Sequence, residues 1–332
     1  MIISKTPFRI SFFGGGTDYP VWYKKYGGAT LSTTIDKYSY ITSLYYPPYF
    51  PSKHRVVWSK IELVNASEEI LHPSVRETLK YLNFTDGVEI HNSSDLPARS
   101  GIGSSSAFTV GLLNALYALR GEFKEKKDLA LEAIHIEQNL IKENVGSQDQ
   151  IAVAVGGLNK TIFSPNGDIE IEPVEMAEER EKVLNDRFML FFTGFQRTAS
   201  EVAAEWIKNV PKKEKELLVM RGMVDRAVDI LTNEKSNIDD FGLLLNDAWQ
   251  IKRNLNHVVT TNEIDEIYRK AQAAGALGGK LLGAGQGGFM LLYVDPEHQP
   301  KVKDALKDLI YVPFRFEKFG TQIIQNGDGS KD

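Results

Sequence analysis

The chain has 332 residues, of which 42% are hydrophobic and 25% charged, and it contains no cysteine. This length exceeds a usual single core, so we expect two domains of a soluble globular protein. The formal net charge of −5 and the lack of a long Lys/Arg block argue against nucleic acid or an anionic membrane as the main partner. The missing cysteines exclude disulfides, thiolate metal sites and cysteine nucleophiles, and the scattered histidines lack the spacing of a zinc site.

The chain begins MIISKTPFRI, which lacks the apolar core of a secretory signal. No window approaches the roughly 20 apolar residues of a membrane span. We therefore expect a cytoplasmic protein.

Strand-like segments dominate the first third of the chain, namely FRISFF, YSYITSLYY and HRVVWS. Helical patterns follow at 107–119 and 128–143, and NKTIFSPNGDIEIEPV predicts a hairpin turning at Asn166-Gly167. A charge-rich stretch at about 175–187 marks the domain boundary, so we predict domains over residues 1–180 and 187–325. The second domain has an α+β pattern, with helices at about 198–209, 212–233 and 263–274, the strand GFMLLYV and a last strand near VPFRFEKF.

Residues 95–116, DLPARSGIGSSSAFTVGLLNAL, place two glycines and three serines before a long apolar run. The spacing is neither that of a Walker loop nor that of a dinucleotide fingerprint. The serines occupy N-cap positions, and the free N–H groups and dipole of a helix N-terminus attract phosphate. A simple cap explains one serine, whereas three serines after Gly-x-Gly favour a phosphate-binding loop. The loop residues are Pro97, Gly101, Gly103, Ser104, Ser105 and Ser106.

Two more glycine clusters lie near the ends of the chain. TPFRISFFGGGTDYP, residues 6–20, combines a strand, three glycines and Asp18, a carboxylate suited to sugar hydroxyls. A turn with an Asx cap explains this cluster equally well. GGKLLGAGQGGFMLLYV, residues 278–294, places glycines before an apolar strand, and a glycine-rich hairpin is the simple alternative there.

In this order the three clusters resemble the signature of the superfamily of galactokinase, homoserine kinase, mevalonate kinase and phosphomevalonate kinase (GHMP). Pro7-Phe8-Arg9 matches its Pro-x-Arg/Lys strand, PARSGIGSS its Pro-x₃-Gly-Leu-Gly-Ser-Ser loop, and GAGQGG its Gly-x-Gly-x-Gly loop. FRISFFGGGTDYPVWYKKYGG and FFTGFQRTAS are most similar to bacterial D-glycero-D-manno-heptose 7-phosphate kinases, with fucokinase and galactokinase further away. The resemblance implies an α+β, two-domain GHMP kinase fold, in which a ribosomal-protein-like N-terminal domain and a ferredoxin-like C-terminal domain flank the active-site cleft.

The resemblance also implies ATP and Mg²⁺ as cofactors and a small-molecule sugar phosphate as the partner. Trp58, followed by Ser59-Lys60, lies where some relatives contact adenine, although an aromatic residue in a strand is more often core. The implied nucleotide-binding residues are Pro97, Gly101, Gly103, Ser104, Ser105, Ser106, Trp58, Gly285 and Gly287. The implied substrate residues are Gly15, Gly16, Thr17, Asp18 and Arg197.

Glu137 stands out on the helix predicted at 128–143, because it lies on the apolar stripe of that helix. An inward carboxylate is costly unless a cation or metal pairs with it. A salt-bridged structural glutamate is the simple alternative. The resemblance implies that Glu137 and Ser105 are ligands of Mg²⁺.

Asp149 lies in VGSQDQIAVAVGG, where Ser147 and Gln150 match a capping box at the start of a helix. The helix dipole favours an acid in the first turn in any case. The resemblance to Gly-x-x-Asp in these kinases implies that Asp149 is the catalytic base. Arg9 is then the cation that favours ionised Asp149 and stabilises the developing charge.

Residues 14–19, GGGTDY, differ from the Gly-Glu-His-Thr-Asp-Tyr of galactokinase-like enzymes. Gly15 and Gly16 in place of bulky residues leave room for the extra carbon and phosphate of a heptose phosphate, and a turn requiring positive φ is the alternative. The candidates for meeting that phosphate are Arg197, Lys24 and Lys25.

These residues together predict transfer of the γ-phosphoryl group of ATP to the anomeric hydroxyl of a heptose 7-phosphate. The product is a 1,7-bisphosphate for nucleotide-activated heptose synthesis. One alternative is a kinase for an unphosphorylated sugar. The other is a sugar sensor that kept the fold and lost the chemistry, against which the presence of Arg9, Glu137 and Asp149 argues.

Overall fold

Two β-sheets with packed helices organise the structure, a computed structural model that describes residues 1–194, 213–255 and 259–327. The described strands, in chain order, are β1 (Ile2–Phe13), β2 (Gly28–Tyr45), β3 (His54–Val57), β4 (Ile61–Val64), β5 (Val88–Ser94), β6 (Asn159–Phe163), β7 (Ile169–Pro173), β8 (Phe188–Phe192), β9 (Ala276–Leu281), β10 (Phe289–Val294), β11 (Ile310–Val312), β12 (Phe316–Glu317) and β13 (Gln322–Asn326). The larger, nine-stranded sheet has the path β13-β1-β2-β5-β3-β4, with β6 and β12 also paired to β2 and β7 to β6. The four-stranded sheet has the order β11-β8-β10-β9.

Helices pack on both sheets. The described α-helices are α1 (Pro20–Tyr26), α2 (Pro73–Tyr81), α3 (Ser104–Leu119), α4 (Lys126–His135), α5 (Gln148–Val155), α6 (Glu178–Asp186), α7 (Glu214–Thr232), α8 (Asp239–Leu255), α9 (Asn262–Ala273) and α10 (Gln299–Ala305). A 3₁₀ turn lies at Ser67–Glu69 and a π-helical segment at Ile136–Leu140. None of the described helices has the length and apolar character that crossing a membrane requires.

Strand β1 lies in the interior of the larger sheet and is almost wholly buried, which explains its apolar sequence. β13 pairs only with residues 2–5 of β1, so the edge beyond Lys5 is open to another partner. The N–H of Arg9 donates there to the carbonyl of Ile102 at 3.1 Å. The first glycine cluster and the predicted phosphate loop are therefore joined through the backbone.

Helix α3 is apolar on nearly every side because it is buried against β1, β2, α4 and α5. It begins at Ser104, three residues before the predicted start. Its N-cap is Gly103, so the expectation that a serine caps this helix is wrong. The three serines form the first helical turn instead, and no N-cap side chain covers the N–H groups there.

The second half of the chain agrees with its predicted elements where they are described. The helices expected at 212–233 and 263–274 correspond to α7 and α9, and α8 was not predicted. The helix expected at 198–209 lies outside the described residues. β12 and β13 pair with β2 and β1, so residues 187–325 also contribute to the first sheet, and the domain boundary at 180–187 stays a prediction.

An aromatic cluster connects the two halves. The ring of Phe12 on β1 stacks on Phe188 of β8 at a centroid distance of 5.2 Å and meets Phe241 of α8 edge-on at 5.4 Å. All three residues are buried. Since such contacts bury large apolar areas, they fix β1 relative to α8 and β8.

Candidate active site

A cavity of about 1140 Å³ is lined by residues from both halves of the chain. All three glycine clusters reach its wall, the third of them through Gly283 and Ala284. The predicted site residues in the wall are Arg9, Gly15, Gly16, Asp18, Trp58, Pro97, Gly101, Gly103, Ser104, Ser105, Ser106 and Asp149. Segments more than 250 residues apart in the sequence thus meet at one place.

Arg9 and Asp149 form a bidentate ion pair in this wall. The Nε and Nη2 groups of Arg9 donate to Oδ1 and Oδ2 of Asp149 at 2.8 and 2.7 Å. Nη1 of Arg9 donates to the carbonyl of Gly101 at 2.7 Å, which attaches the pair to the predicted phosphate loop. Asp149 lies in the first turn of α5, where the helix dipole favours a negative charge. This pair is a strong, oriented arrangement because both partners are charged and the fork geometry is matched.

The capping box predicted before α5 does not form. No side chain of Ser147 caps the helix, and Gln150 donates to Glu137 rather than to the helix end. Ser147 Oγ instead accepts a hydrogen bond from Gln138 at 3.1 Å. Both side chains therefore support the neighbouring π-helical segment.

Asp18 is buried beside the ion pair, with an exposed fraction of 1%. Its Oδ1 accepts a hydrogen bond from the N–H of Gly16, two residues earlier in the chain, at 2.9 Å. An Asx turn would use the N–H two residues later, so this bond is not the Asx cap considered from the sequence. Burial, reinforced by the charge of Asp149, raises the pKa of Asp18 to about 6. The close approach of Gly146 confines this carboxylate, because a Cβ at that position would lie 1.8 Å from Oδ2.

The third glycine cluster supports the phosphate loop from behind. A Cβ on Gly283 would lie 2.5 Å from the Cα of Gly101, so only glycine permits this approach. The N–H of Phe289 also donates to the carbonyl of Ser100 at 3.2 Å. Gly285 and Gly287, predicted to bind the nucleotide, are not in the cavity wall. The third glycine cluster therefore mainly positions the phosphate loop.

Glu137 lies behind the loop rather than in the cavity wall. The helix expected over 128–143 is interrupted, since α4 ends at His135 and Glu137 belongs to the π-helical segment. Its Oε2 accepts hydrogen bonds from Ser106 at 3.0 Å and Gln150 at 2.5 Å, and its Oε1 has no partner among the described residues. Burial raises the pKa of Glu137 to about 7. The structure brings Ser106 to this carboxylate, whereas the predicted Ser105 is exposed in the wall.

An aromatic wall closes another part of the cavity, and only Trp58 of it was predicted. Trp58 meets His72 edge-on at 4.9 Å, and His72 stacks on Phe108 at 4.4 Å. The indole N–H of Trp58 donates to Glu62 at 2.8 Å, which fixes the ring. Burial lowers the pKa of His72 to about 4, so this ring is neutral near pH 7. Three planar rings suit a flat heterocyclic ligand.

Two lysines in the wall were missed by sequence reasoning. Lys252 lies on α8 and Lys280 on β9, and each donates from Nζ to two backbone carbonyls. A lysine in an amphipathic helix or an alternating strand gives the pattern of a solvated side chain. No local signal distinguishes them from the surface lysines of this chain.

Several predicted substrate residues lie elsewhere. Thr17 is buried and donates to the carbonyls of Gly14 and Ala29 at 2.8 and 2.9 Å, so it holds the turn. Lys24 and Lys25 are exposed on α1 and do not line the cavity. Arg197 lies outside the described residues.

Comparison with known proteins identifies the family. Residues 69–157 match the GHMP kinases N terminal domain, and residues 229–311 match the GHMP kinases C terminal domain. The chain belongs to the GHMP kinase family. The predicted α+β, two-domain GHMP kinase fold is thereby confirmed, and the protein is an ATP-dependent sugar kinase.

Relatives of this GHMP kinase include enzymes for phosphorylated and for free sugars. A D-glycero-alpha-D-manno-heptose 7-phosphate kinase of Campylobacter jejuni is 30% identical over 339 residues, covering 97% of this chain and 98% of that protein. A galactokinase of Pyrococcus furiosus is 26% identical over 341 residues, covering 92% of each. The crystal structure of a D-glycero-D-manno-heptose 1-phosphate kinase from Bacteriodes thetaiotaomicron has a TM-score of 0.72 at 23% identity and covers 98% of this chain and 99% of that one.

Proposed function

We propose that this GHMP kinase transfers the γ-phosphoryl group of ATP to the anomeric hydroxyl of D-glycero-D-manno-heptose 7-phosphate, in nucleotide-activated heptose biosynthesis. The 30% identity to a heptose 7-phosphate kinase over almost the whole chain supports the choice of substrate. The observation that carries the reaction type is the Arg9–Asp149 pair, which is bound to the phosphate loop and lies beside Asp18. The expected location in the cytoplasm, without nucleic acid or membrane partners, stays a prediction.

In the proposed step the anomeric oxygen attacks the γ-phosphorus, the bond to the β-phosphate oxygen breaks, and ADP leaves. Asp149 accepts the proton of the attacking hydroxyl. Arg9 orients Asp149 through two hydrogen bonds, and its charge stabilises the negative charge that develops on the transferred oxygens. The products are the 1,7-bisphosphate and ADP, so atoms and charge balance.

The nucleotide occupies the part of the cavity between the phosphate loop and the aromatic wall in this proposal. The uncovered N-terminus of α3 and the serines of its first turn contact the phosphates. Trp58, His72 and Phe108 contact the base by stacking or at ring edges. Neutral His72 adds no charge there, which suits an uncharged purine.

The residues around Glu137 fit Mg²⁺. Its Oε1 is a buried carboxylate oxygen without a partner among the described residues, and hydroxyl groups lie at the adjacent helix end. Such oxygens are the ligands that Mg²⁺ prefers. Glu137 and a serine of the loop, Ser105 or Ser106, would hold the ion, which neutralises phosphate charge when bound.

The sugar lies against the first glycine cluster in this proposal. The carboxylate of Asp18 accepts hydrogen bonds from sugar hydroxyls and orients the anomeric oxygen towards Asp149. Gly15 and Gly16 leave space in the wall beside it. A role for Arg197 at the substrate phosphate stays a prediction.

The test is an ADP-release assay of the purified protein with a matched panel of sugars and sugar phosphates. We expect D-glycero-D-manno-heptose 7-phosphate to give the highest kcat/KM, with phosphate appearing on the anomeric oxygen by NMR. The galactokinase relative supports a second candidate, a kinase for a free sugar, and a better rate with an unphosphorylated sugar would select it. Sugar binding without any ADP release would select the sensor.

A further inference from the structure

Lys280 is a buried lysine that forms no ion pair with any carboxylate of the described residues. Its exposed fraction is 6%, and its Nζ donates to the carbonyls of Ser11 and Phe12, both at 2.9 Å. An ammonium group has three N–H donors, so one remains for a ligand. A buried charge is costly unless a counter-charge pairs with it. This side chain therefore lacks its expected counter-charge in the described part of the chain.

Lys252 also lines the cavity, is half-buried and is held in a similar way. Its Nζ donates to the carbonyls of Leu281 and Gly283 at 3.2 and 2.6 Å, again with no ion pair to a described carboxylate. Burial lowers the pKa values of both lysines, and the charge of Arg9 lowers both further; the charge of Lys252 also lowers the pKa of Lys280. The two ammonium groups are therefore close enough to interact.

The carboxylates near these lysines are already engaged. Arg9 binds both oxygens of Asp149, and Oδ1 of Asp18 accepts from the N–H of Gly16. Asp18 acts on both lysines only at longer range. The remaining donors of the two Nζ groups are therefore available to a ligand between the loop supported by Gly283 and the strand that carries Ser11.

We propose that Lys252 and Lys280, together with Arg9, form a subsite that binds a phosphoryl group. This phosphoryl group has two possible sources, the γ-phosphoryl of the nucleotide and the phosphate ester of the acceptor. Naming these two sources rests on the proposed function. A tetrahedral phosphoryl group offers three oxygens to donors that converge from different directions, whereas a carboxylate offers two. The alternative is that the lysines only fasten β1, β9 and the third glycine cluster through their carbonyls.

The first experiment needs no catalysis. Binding of inorganic phosphate and pyrophosphate to the full-length protein is measured by calorimetry for the wild type, Lys252→Met and Lys280→Met. Methionine keeps the length of the stem and removes the charge. Lys301→Met, at an exposed lysine of α10, is the matched control. We expect either cavity variant to weaken phosphate binding by about tenfold to a hundredfold, the loss that follows from removing one charged hydrogen-bond donor.

Unchanged phosphate affinity in a folded cavity variant, or no phosphate binding by the wild type, overturns the subsite. If the methionine variants do not fold, lysine acylation of the wild type replaces them, read by peptide mass spectrometry. Phosphate should then protect Lys252 and Lys280 but not Lys301. Equal labelling with and without phosphate leaves only the fastening role and overturns the proposal.

A second set of titrations identifies the source. A γ-phosphoryl site predicts that the variants weaken a non-hydrolysable ATP analogue but not ADP. An acceptor site predicts that they weaken the sugar phosphate but not the free sugar. If phosphate binding depends on the lysines but no sugar is phosphorylated by the wild type, the subsite stands and the proposed function fails. If sugars are phosphorylated but the lysine variants bind phosphate as tightly as the wild type, the proposed function stands and the subsite fails.

Discussion

Arg9 holds Asp149 through two hydrogen bonds of 2.8 and 2.7 Å, while its third donor binds the carbonyl of Gly101. The guanidinium thereby connects the proposed base to the phosphate loop in one rigid unit. Because the fork occupies one edge of the carboxylate, the remaining lone pairs of Asp149 are available to a hydroxyl proton. The orientation of the proposed base and the position of the phosphate loop therefore depend on the same arginine.

Asp149→Asn should reduce kcat by at least about a hundredfold, the lower range for a general base. The amide cannot accept the proton, and it can accept only one of the two bonds from Arg9. We expect MgATP binding to change little, since the phosphate loop keeps its other supports. Steady-state ADP release and calorimetric titration of MgATP measure the two effects. Near wild-type turnover in the folded variant would show that Asp149 is not the base. A modest loss of turnover would indicate that Arg9 contributes more to catalysis than Asp149.

Asp18→Asn should increase the free energy of unfolding at pH 7.5. The folded-state pKa of about 6 lies above the ordinary value of 3.8 for an aspartate, so the folded protein binds this proton more tightly and loses stability as pH rises from about 4 to 6. Above that window the buried charge costs on the order of 1–3 kcal/mol, which the amide avoids. The same change should weaken sugar binding.

Urea denaturation of wild type and variant at pH 4, 5, 6 and 7.5 measures this effect. The difference between the two proteins should be small at pH 4 and largest at pH 7.5. A difference that is constant with pH would mean that Asp18 does not titrate in this range, and the assignment of a buried, confined carboxylate would be wrong.

Much of the site could be predicted because the decisive signals are local. Gly-x-Gly before three serines and the strand carrying Arg9 are short patterns, and both segments are in the cavity wall. The interruption after His135 could not be predicted, since the change from α to π hydrogen bonding leaves no clear mark in an amphipathic sequence. It moves Glu137 behind the loop and places it against Ser106.

The pairing of strands that are far apart in the sequence could not be predicted either. β12 and β13 return to the first sheet, and nothing in their short sequences specifies β2 and β1 as partners. Lys280 becomes buried and Lys252 half-buried only because α8 packs on β9 and on β1, and the Lys280 side chain reaches the carbonyl of Ser11 on β1. Burial of a lysine is a property of the assembled fold, so the composition of its own segment does not reveal it.

Gly283→Ala should displace the phosphate loop. The new methyl group would lie 2.5 Å from the Cα of Gly101, a contact that only a backbone shift can relieve. We expect a lower Tm and at least about tenfold weaker ATP binding, because phosphate donors tolerate little misplacement. Gly222→Ala is the control, since no heavy atom lies within 4 Å of its Cβ, and alanine should be neutral or stabilising in α7. Unchanged ATP affinity in folded Gly283→Ala would show that this contact does not position the loop.

Ser106→Ala and Ser105→Ala form a matched pair that tests the proposed metal site. Ser106 donates to Glu137, whereas Ser105 faces the cavity. Glu137→Gln should raise the Mg²⁺ concentration needed for half-maximal activity, because it removes an anionic oxygen from a hard-cation site. The serine variant that shares this defect identifies the hydroxyl that accompanies Glu137. Loss of Tm with unchanged Mg²⁺ dependence in Glu137→Gln would instead assign the glutamate a structural role.

Gly15→Glu tests whether the glycine cluster sets the substrate. Gly16 has a φ of +102°, so any side chain there strains the turn, whereas Gly15 is outside the left-handed region. A Cβ on Gly15 would meet only Gln148 and Ser11, both at 3.7 Å, which is ordinary contact. A longer side chain at Gly15 therefore extends into the cavity without disturbing the backbone.

We expect Gly15→Glu to lower kcat/KM for the heptose phosphate by at least about tenfold, since a carboxylate repels the substrate phosphate and fills its space. ADP affinity and Tm should stay near the wild type. Gly15→Ala should behave as wild type in folding, and Gly16→Ala should lose about 1 kcal/mol or more of stability because of its positive φ. The two alanine variants therefore distinguish loss of space in the cavity from collapse of the turn.

If Gly15→Glu loses ADP binding and Tm together with activity, the turn has collapsed and Gly15 has no separate role in selectivity. If Gly15→Glu leaves the preference for phosphorylated over free sugars unchanged, the first glycine cluster does not select the substrate.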